Sequence, residues 1–305
     1  MTASDSSGKP TCGVVVVNYN SMALLEQNLA HADFGDDVIV VVVDNSDSMH
    51  EKPTLRRLAL VNQWVLLDPG GNLGFGAAVN LGVLHVLEQG CDWILLLNPD
   101  ATIARSQFEA LMTTQRSEPR AIMSPVIQRE DGSVWFRGAE LRRRVGMAVH
   151  SRELNEDSEW LSGACLSIPA SVWNDLGGMS SAYFLYWEDV DFTYRWRQRG
   201  GALVVATAAT AVHSVGGTQA GVMGKSMTFV YYNCRNRLVF AARNLGTAYL
   251  ALWILTSPYQ WFTMLRLSRF RRSGQKAAIA KAILTGYSAG IWLAIRGRSA
   301  GKEEA

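Results

Sequence analysis

Cysteine is scarce in this 305-residue chain, and so is charge. The four thiols, Cys12, Cys91, Cys165 and Cys234, stand far apart. None falls at a metal-ligand or redox spacing, and a chain this long needs no staples, which excludes a zinc module and a small disulfide scaffold. Reduced thiols in a cytoplasmic protein are the expectation. The first ten residues lack a basic stretch followed by an apolar one, so no signal peptide is expected. Charged residues make up 18% of the chain against 48% hydrophobic, which excludes a disordered polymer. What the last quarter lacks is acid. Residues 225–305 hold thirteen Lys and Arg against only Glu303 and Glu304, a net of +11. Residues 1–224 hold sixteen Lys and Arg against twenty-five Asp and Glu, a net of −9. Such a split implies an acidic body (1–224) and a basic tail (225–305) that meets an anionic surface, either nucleic acid or membrane.

Three apolar runs end in polar residues. Trp93-Ile94-Leu95-Leu96-Leu97 stops at Asn98-Pro99-Asp100, Gly13–Val17 at Asn18-Tyr19-Asn20-Ser21, and Val38–Val43 at Asp44-Asn45-Ser46. Continuous apolar runs of this length read as strands buried on both faces of a parallel sheet. With Val65–Leu67 and helical patterns at Met22–Ala30 and Ala77–Glu88, the order predicts an α/β fold with right-handed crossovers. The polar strand ends then share one sheet edge, where open α/β sheets bind ligands. Asp100 at that edge has two readings: a carboxylate that holds a divalent cation against a diphosphate, or the cap of a helix near Ser106–Arg116.

The glycine turn Gly71-Asn72-Leu73-Gly74-Phe75-Gly76 lacks the Gly-x-Gly-x-x-Gly order and follows a late strand. It therefore reads as a tight helix start rather than a dinucleotide site, although its N–H groups could touch a nucleotide or sugar. Ile122–Gln128 and Ser133–Arg137 flank Asp131-Gly132 as a hairpin. Residues 139–159 read as an irregular, mobile loop near the acceptor side. Leu161–Pro169 is a strand with small residues at its start, Gly163 and Ala164, that permit close approach. Tyr183–Trp187 is an aromatic run followed by Glu188, Asp189 and Asp191 at the start of a helix over 189–200, in which Asp191 and Arg195 are spaced i, i+4. The acids either cap that helix or one of them acts as a base behind an aromatic wall. Val204–Ala206 and Ala211–Val212 read as two short strands, and His213 ends the second beside a glycine loop. A histidine there is either structural or a late metal ligand.

Together these motifs, over about residues 12–218, resemble an inverting family 2 glycosyltransferase of the GT-A fold, in its bacterial rhamnosyltransferase-like branch. The shared features are Asn18-Tyr19-Asn20, Asp44-Asn45-Ser46, Gly71–Gly76 with Asn80, Asn98-Pro99-Asp100, Gly163-Ala164, Glu188-Asp189-Val190-Asp191 and His213. The resemblance implies a nucleotide-diphosphate sugar donor bound by Asn18, Tyr19, Asn20, Asp44, Asn72, Gly74, Phe75, Asn80, Asn98 and Asp100. It implies Mn²⁺ or Mg²⁺ on Asp100 and His213, with Asn98 standing where many members carry a further acid. Asp189 would be the general base, Glu188 and Asp191 would orient acceptor or helix, and Gly163, Ala164 and Trp187 would line the acceptor side. It further implies transfer of one sugar, with L-rhamnose suggested by the branch, to a lipid-linked or cell-envelope glycan. A sugar-phosphate nucleotidyltransferase and a non-catalytic membrane-associated binding module are the competing readings.

In the tail, Tyr231-Tyr232, Arg235-Asn236-Arg237 and Arg243 resemble a helix that follows the catalytic domain in the same branch. Leu245–Leu265 is uncharged and about as long as one membrane span, although Pro258 interrupts it. Arg266, Arg269, Arg271, Arg272 and Lys276 follow, and Ala277–Ile295 is apolar again apart from Lys281. Nucleotide sugars are cytoplasmic, and either one or two spans would export basic residues against the positive-inside tendency. The expectation is therefore a monotopic or peripheral protein on the cytoplasmic side of the cell membrane, with helices lying on an anionic surface, and a transmembrane hairpin is the competing reading. Nucleic acid is not expected as a partner, because the basic residues alternate with bulky apolar ones. A homo-oligomer through the C-terminal helices is the further partner expected.

Overall fold

The computed structural model describes residues 11–47, 49–214, 226–267 and 273–300. In chain order the first half carries β1 (Cys12–Asn18), α1 (Met22–Gln27), β2 (Val38–Asp44), α2 (Lys52–Val61), β3 (Val65–Leu67), α3 (Phe75–Glu88), β4 (Trp93–Leu97), β5 (Ala101–Thr102) and α4 (Arg105–Ser117). Then come β6 (Ile122–Gln128), β7 (Val134–Phe136), β8 (Ala139–Arg142), β9 (Met147–His150), β10 (Cys165–Pro169), α5 (Ala170–Leu176), α6 (Glu188–Gln198) and β11 (Leu203–His213). The C-terminal helices are α7 (Met227–Phe240), α8 (Thr247–Leu255), α9 (Ser257–Leu267) and α10 (Ser273–Ala300), with a π-helical segment Ala241–Leu245 after α7.

The sheet runs β3-β2-β1-β4-β10-β6-β11-β5, with β7 added to β6. β3, β2, β1 and β4 are parallel, as expected for strands joined by helical crossovers, and β10 enters antiparallel beside β4. β1 is buried throughout, and each Val or Leu taken out of water there contributes about 1.5–3 kcal/mol. The register pairs Asn18 with Asp44, so the polar ends of β1 and β2 meet at one edge. Two glycines set the distance between α3 and the sheet. A Cβ on Gly13 would lie 2.3 Å from Val86 Cγ1, and one on Gly82 would lie 2.6 Å from Val15 Cγ1. α3 thus presses directly on β1 and carries its N-terminus to the ligand edge.

Three expectations change. Residues 139–159 are not all irregular, because β8 and β9 pair as an antiparallel two-stranded sheet. Ala139 and Leu141 are buried while Glu140 and Arg142 are exposed, the alternation of a half-buried strand. Second, Val204–Ala206 and Ala211–Val212 belong to one strand, β11, which continues through an irregularity between Ala206 and Thr210. There the Thr210 backbone N–H and hydroxyl both donate to Gln107 Oε1, at 2.8 and 2.9 Å, so α4 props the interruption. Third, Leu245–Leu265 is not one span. Gly246, at φ 88°, opens α8, and Pro258 sits in the first turn of α9, where its missing N–H is tolerated. Among the described residues one helix, Lys276–Arg296 within α10, is long and apolar enough to cross a membrane, and a third of that window is buried against the protein. Arg269, Arg271 and Arg272 lie outside the described residues, as does the glycine loop after Ser214.

Candidate active site

Asp100 follows β4 and lies buried just ahead of β5. It does not cap α4, whose N-cap is Ala104 with no side-chain bond. β5 instead pairs with the end of β11, setting His213 opposite Ala101. His213 Nε2 stands 3.0 Å from Asp100 Oδ1, and the Ser214 N–H donates to the Asp100 carbonyl at 2.8 Å. The other ring nitrogen of His213, Nδ1, is buried without a partner, and Trp135 of β7 packs over the imidazole at 4.6 Å between ring centroids. A carboxylate and an imidazole side by side suit Mn²⁺ or Mg²⁺, provided that substrate oxygens or water fill the shell. No group of three or more His, Cys, Asp or Glu suited to a metal occurs among the described residues, so the chain's own donors there are these two.

The acidic motif is reached through β10. Asn98 N–H donates to the Ala164 carbonyl at 3.0 Å, and the neighbouring Gly163 N–H donates to Asp189 Oδ2 at 3.0 Å. A Cβ on Gly163 would lie 3.3 Å from Asp189 Cβ, so glycine there gives the carboxylate its seat. Asp189 is half-buried and also accepts from the Val190 N–H at 2.8 Å. Burial raises its pKa above the ordinary aspartate value, against the pull of those two amides. Burial pushes Glu188 well above the usual carboxylate range too, reinforced by the charges of Asp189 and Asp191. Glu188 Oε2 is buried without a hydrogen-bond partner, and the Glu188 Cβ lies 3.4 Å from where a Cβ on Gly76 would stand.

Asp191 takes a different part from the other two acids. It is wholly buried and accepts from Arg195 Nε at 2.8 Å, Tyr183 Oη at 3.1 Å and Asn244 Nδ2 at 2.8 Å. Arg195 also donates to the carbonyls of Leu176 and Gly178. Asp191 therefore locks α6 to its surroundings, the helix-orienting one of its two expected parts. None of the three acids is the N-cap of α6; that position is Trp187.

Several residues expected on the donor side form the frame. Asn18 is fully buried and all four of its amide hydrogen-bonding positions are used: Nδ2 donates to Asp44 Oδ1 and Ser46 Oγ, while Oδ1 accepts from the Ser21 N–H and hydroxyl. It fixes Asp44 at the sheet edge rather than reaching a ligand. Asn80 donates to the Met179 carbonyl and accepts from its N–H, both at 2.9 Å, and is likewise structural. Asn72 Oδ1 accepts from the Gly74 N–H and Asn45 Nδ2, and Asn45 Oδ1 from the Leu73 N–H, which folds the glycine turn against the end of β2. At Gly74, φ is 84° and a Cβ would stand 2.4 Å from the Phe184 carbonyl oxygen, so only glycine fits. The Phe75 N–H donates to that same carbonyl at 2.8 Å. Tyr19 and Asn20 remain exposed at the edge, and Asn98 is half-buried beside it.

Residues whose part the sequence did not disclose come from the C-terminal segment. Asn233 accepts from Trp187 Nε1 at 3.1 Å, Asn236 donates to the carbonyls of Leu185 and Tyr186, and Asn244 meets Asp191. These contacts cross the expected division at residue 224. Trp187 is walled in by Phe240 and Trp253 of the same region, at ring-centroid distances of 5.3 and 6.2 Å.

Residues 10–240 match the glycosyltransferase like family 2. The chain is 29% identical over 232 residues to the N-acetylglucosaminyl-diphospho-decaprenol L-rhamnosyltransferase of Mycobacterium tuberculosis strain H37Rv, covering 66% of this chain and 75% of that one. It is 28% identical over 266 residues to a low-salt glycan biosynthesis hexosyltransferase of Haloferax volcanii, covering 83% and 84%. Among solved structures its fold is similar to that of a mannosyltransferase from Pyrobaculum calidifontis in complex with GDP-Man and Mn²⁺. There the TM-score is 0.57, with 18% identity over 99% of this chain and 82% of that one.

Proposed function

Because this chain belongs to glycosyltransferase family 2, we propose that it moves one sugar, L-rhamnose, from a nucleotide-diphosphate donor to a lipid-linked glycan with inversion. The observation that carries this reading is the seat of Asp189. A single carboxylate of raised basicity, fixed by the Gly163 N–H, stands one residue along β10's entry from the link between Ala164 and the Asn98–Asp100 edge.

In this reading the acceptor hydroxyl approaches half-buried Asp189 beside its seat at Gly163, while Ala164 and Trp187, expected to line the acceptor side, are buried behind it. Asp189 takes the hydroxyl proton as the oxygen bonds to the anomeric carbon, and the bond from that carbon to the diphosphate breaks on the opposite face. One base and one displacement give inversion. Asp100 and His213 would hold a divalent cation, Mn²⁺ or Mg²⁺, which when bound neutralises charge on the diphosphate. Exposed Tyr19 and Asn20, with Asp44 behind them, would take the nucleotide base and ribose. Glu188 is buried with Oε2 unpartnered, so half-buried Asp189 is the carboxylate that this reading gives to the acceptor.

The L-rhamnosyltransferase relative supplies the sugar and a polyprenyl diphosphate acceptor for this reading. The tail supports a location at a membrane surface. Leu255, Tyr259, Phe262, Leu284, Trp292 and Ile295 are exposed on α8, α9 and α10, with Lys276, Lys281 and Arg296 also at the surface. By helical spacing Leu284, Trp292, Ile295 and Lys281 share one face of α10, a pattern that suits a helix lying on an anionic bilayer, which in this reading is the cytoplasmic face of the membrane. The test is a panel of nucleotide sugars offered with a short-chain N-acetylglucosaminyl diphosphoprenol. Release of dTDP from dTDP-rhamnose together with a lipid heavier by one rhamnose is expected. Nucleotidyl transfer, or binding without turnover of any sugar nucleotide, would overturn the reading.

A further inference from the structure

Two residues directly ahead of Glu188 and Asp189 hold a backbone that bulky side chains avoid. Tyr186 has φ 65° and Trp187 has φ 76°. Successive non-glycine residues in the left-handed region persist only where the surroundings over-determine them. Here one side chain bonds the backbone of the turn twice. Asn236 Nδ2 donates to the Leu185 carbonyl at 2.8 Å and to the Tyr186 carbonyl at 2.7 Å. Both amide hydrogens of one nitrogen thereby hold two consecutive peptide units, and Asn236 Oδ1 accepts from the neighbouring Arg235 guanidinium. Asn236 is wholly buried. Asn233, one turn earlier on α7, accepts from the Trp187 indole.

The helix that presents Asn236 is itself fixed from behind. A Cβ on Gly286 would lie 2.5 Å from the Tyr231 carbonyl oxygen, and one on Gly290 would lie 2.7 Å from that of Arg235. These two glycines, four apart on α10, let the backbones of α7 and α10 touch.

We propose that Asn236 is a positioning residue for the transfer reaction: it holds the Tyr186–Trp187 turn in its left-handed form and thereby sets where Asp189 stands against Gly163. The proposal rests on the reading of Asp189 as the base. Asn236 touches no reacting atom. An amide suits the task because it donates twice from one atom, whereas a carboxylate of the same shape would turn lone pairs against two carbonyls.

The test compares the wild-type chain with Asn236→Ala, Tyr186→Gly, the Asn236→Ala/Tyr186→Gly double variant and Asp189→Asn. All are assayed with whichever nucleotide sugar the wild type turns over, dTDP-rhamnose first. Asn236→Ala should lower kcat by about 10- to 100-fold, as displacement of a catalytic group by an ångström does, with the donor KM within about threefold. Glycine adopts positive φ without strain, so adding Tyr186→Gly should restore kcat by about fivefold or more. General loss of packing would not be relieved in this way. Wild-type kcat in Asn236→Ala, or a loss that the glycine leaves unchanged, overturns the proposal. Should Asn236→Ala fail to fold, Asn236→Asp carries the same expectation, and a normal kcat there overturns it equally. Asp189→Asn separates the two readings: if it keeps full turnover, the base assignment itself falls, whatever Asn236→Ala does.

Discussion

His213 Nε2 and Asp100 Oδ1 stand 3.0 Å apart across 113 residues of sequence. The pairing of β5 with β11 makes this contact, and nothing local to either residue would. The donors that a cation would use are thus contributed by two segments that the sheet must first bring together. Chelation is expected to abolish transfer, and added Mn²⁺ or Mg²⁺ to restore it. Asp100→Ala should weaken binding of the nucleoside diphosphate measured calorimetrically in the presence of metal, and leave metal-free binding unchanged. Full turnover in chelator would refute the assignment.

Asp189→Asn keeps the shape of the side chain and removes its basicity. Loss of a positioned base lowers the rate by about 10²–10⁴. Calorimetric affinity for the nucleotide sugar should stay near wild type, because the role proposed for Asp189 is toward the acceptor and not the donor. Turnover within threefold of wild type, in order-of-magnitude terms, would remove the base from Asp189.

Glu188 gives a pH signature in stability. Its folded pKa is raised by burial and by the charges of Asp189 and Asp191. A carboxyl raised on folding stabilises the fold fully below its unfolded pKa, about 4.3, and that contribution is lost as pH rises through the folded value. Glu188→Gln, neutral at every pH, should therefore gain in Tm over wild type as the buffer moves from acid to pH 8. Parallel Tm curves for the two proteins would show that Glu188 is not buried as described.

Gly74→Ala tests the glycine turn. The positive φ alone costs about 1–3 kcal/mol for a residue with a side chain, and the Phe184 carbonyl oxygen adds a steric clash. A clear drop in the urea midpoint is expected, whereas Gly71→Ala, with open space around it, should fall within experimental scatter.

The exposed apolar face of α10 predicts vesicle binding. Leu284→Ser, Trp292→Ser and Ile295→Ser together should weaken sedimentation with anionic vesicles in a way that high salt does not mimic. Replacing Arg266, Arg269, Arg271 and Arg272 with Gln should remove the salt-sensitive part, about 1 kcal/mol for each cation near the surface. Activity on a water-soluble acceptor should persist in both. If the full-length protein ignores vesicles and elutes as a dimer, the face is covered by a second copy of the chain.

The sheet and the edge it offers were legible because buried parallel strands announce themselves as runs such as Val14–Val17 and Ile94–Leu97, and each run stops at polar residues that share one edge. The i, i+4 spacing of Asp191 and Arg195 likewise foretold their ion pair. The β8–β9 hairpin was not legible, since its four-residue strands carry two charges in the outward positions. Asn18 and Asn80 look like ligand-binding amides in sequence; only the contacts reveal that the protein has already used them. Asn233, Asn236 and Asn244 lie 46 to 53 residues from the groups they hold, and no local pattern marks such partners.

The order of the chain has a consequence for its synthesis. β11 brings His213 to Asp100, and α7 brings Asn236 to the turn before Asp189, so the last parts of the site are translated well after the sheet that receives them. A nascent chain that has emerged through residue 200 contains Asp44, Asp100 and Asp189 yet lacks both the imidazole and the clamp. Domains that fold during translation do so from the N-terminal end. On the ribosome, the contacts to Asp100 and to the turn before Asp189 would therefore close only as β11 and then α7 emerge.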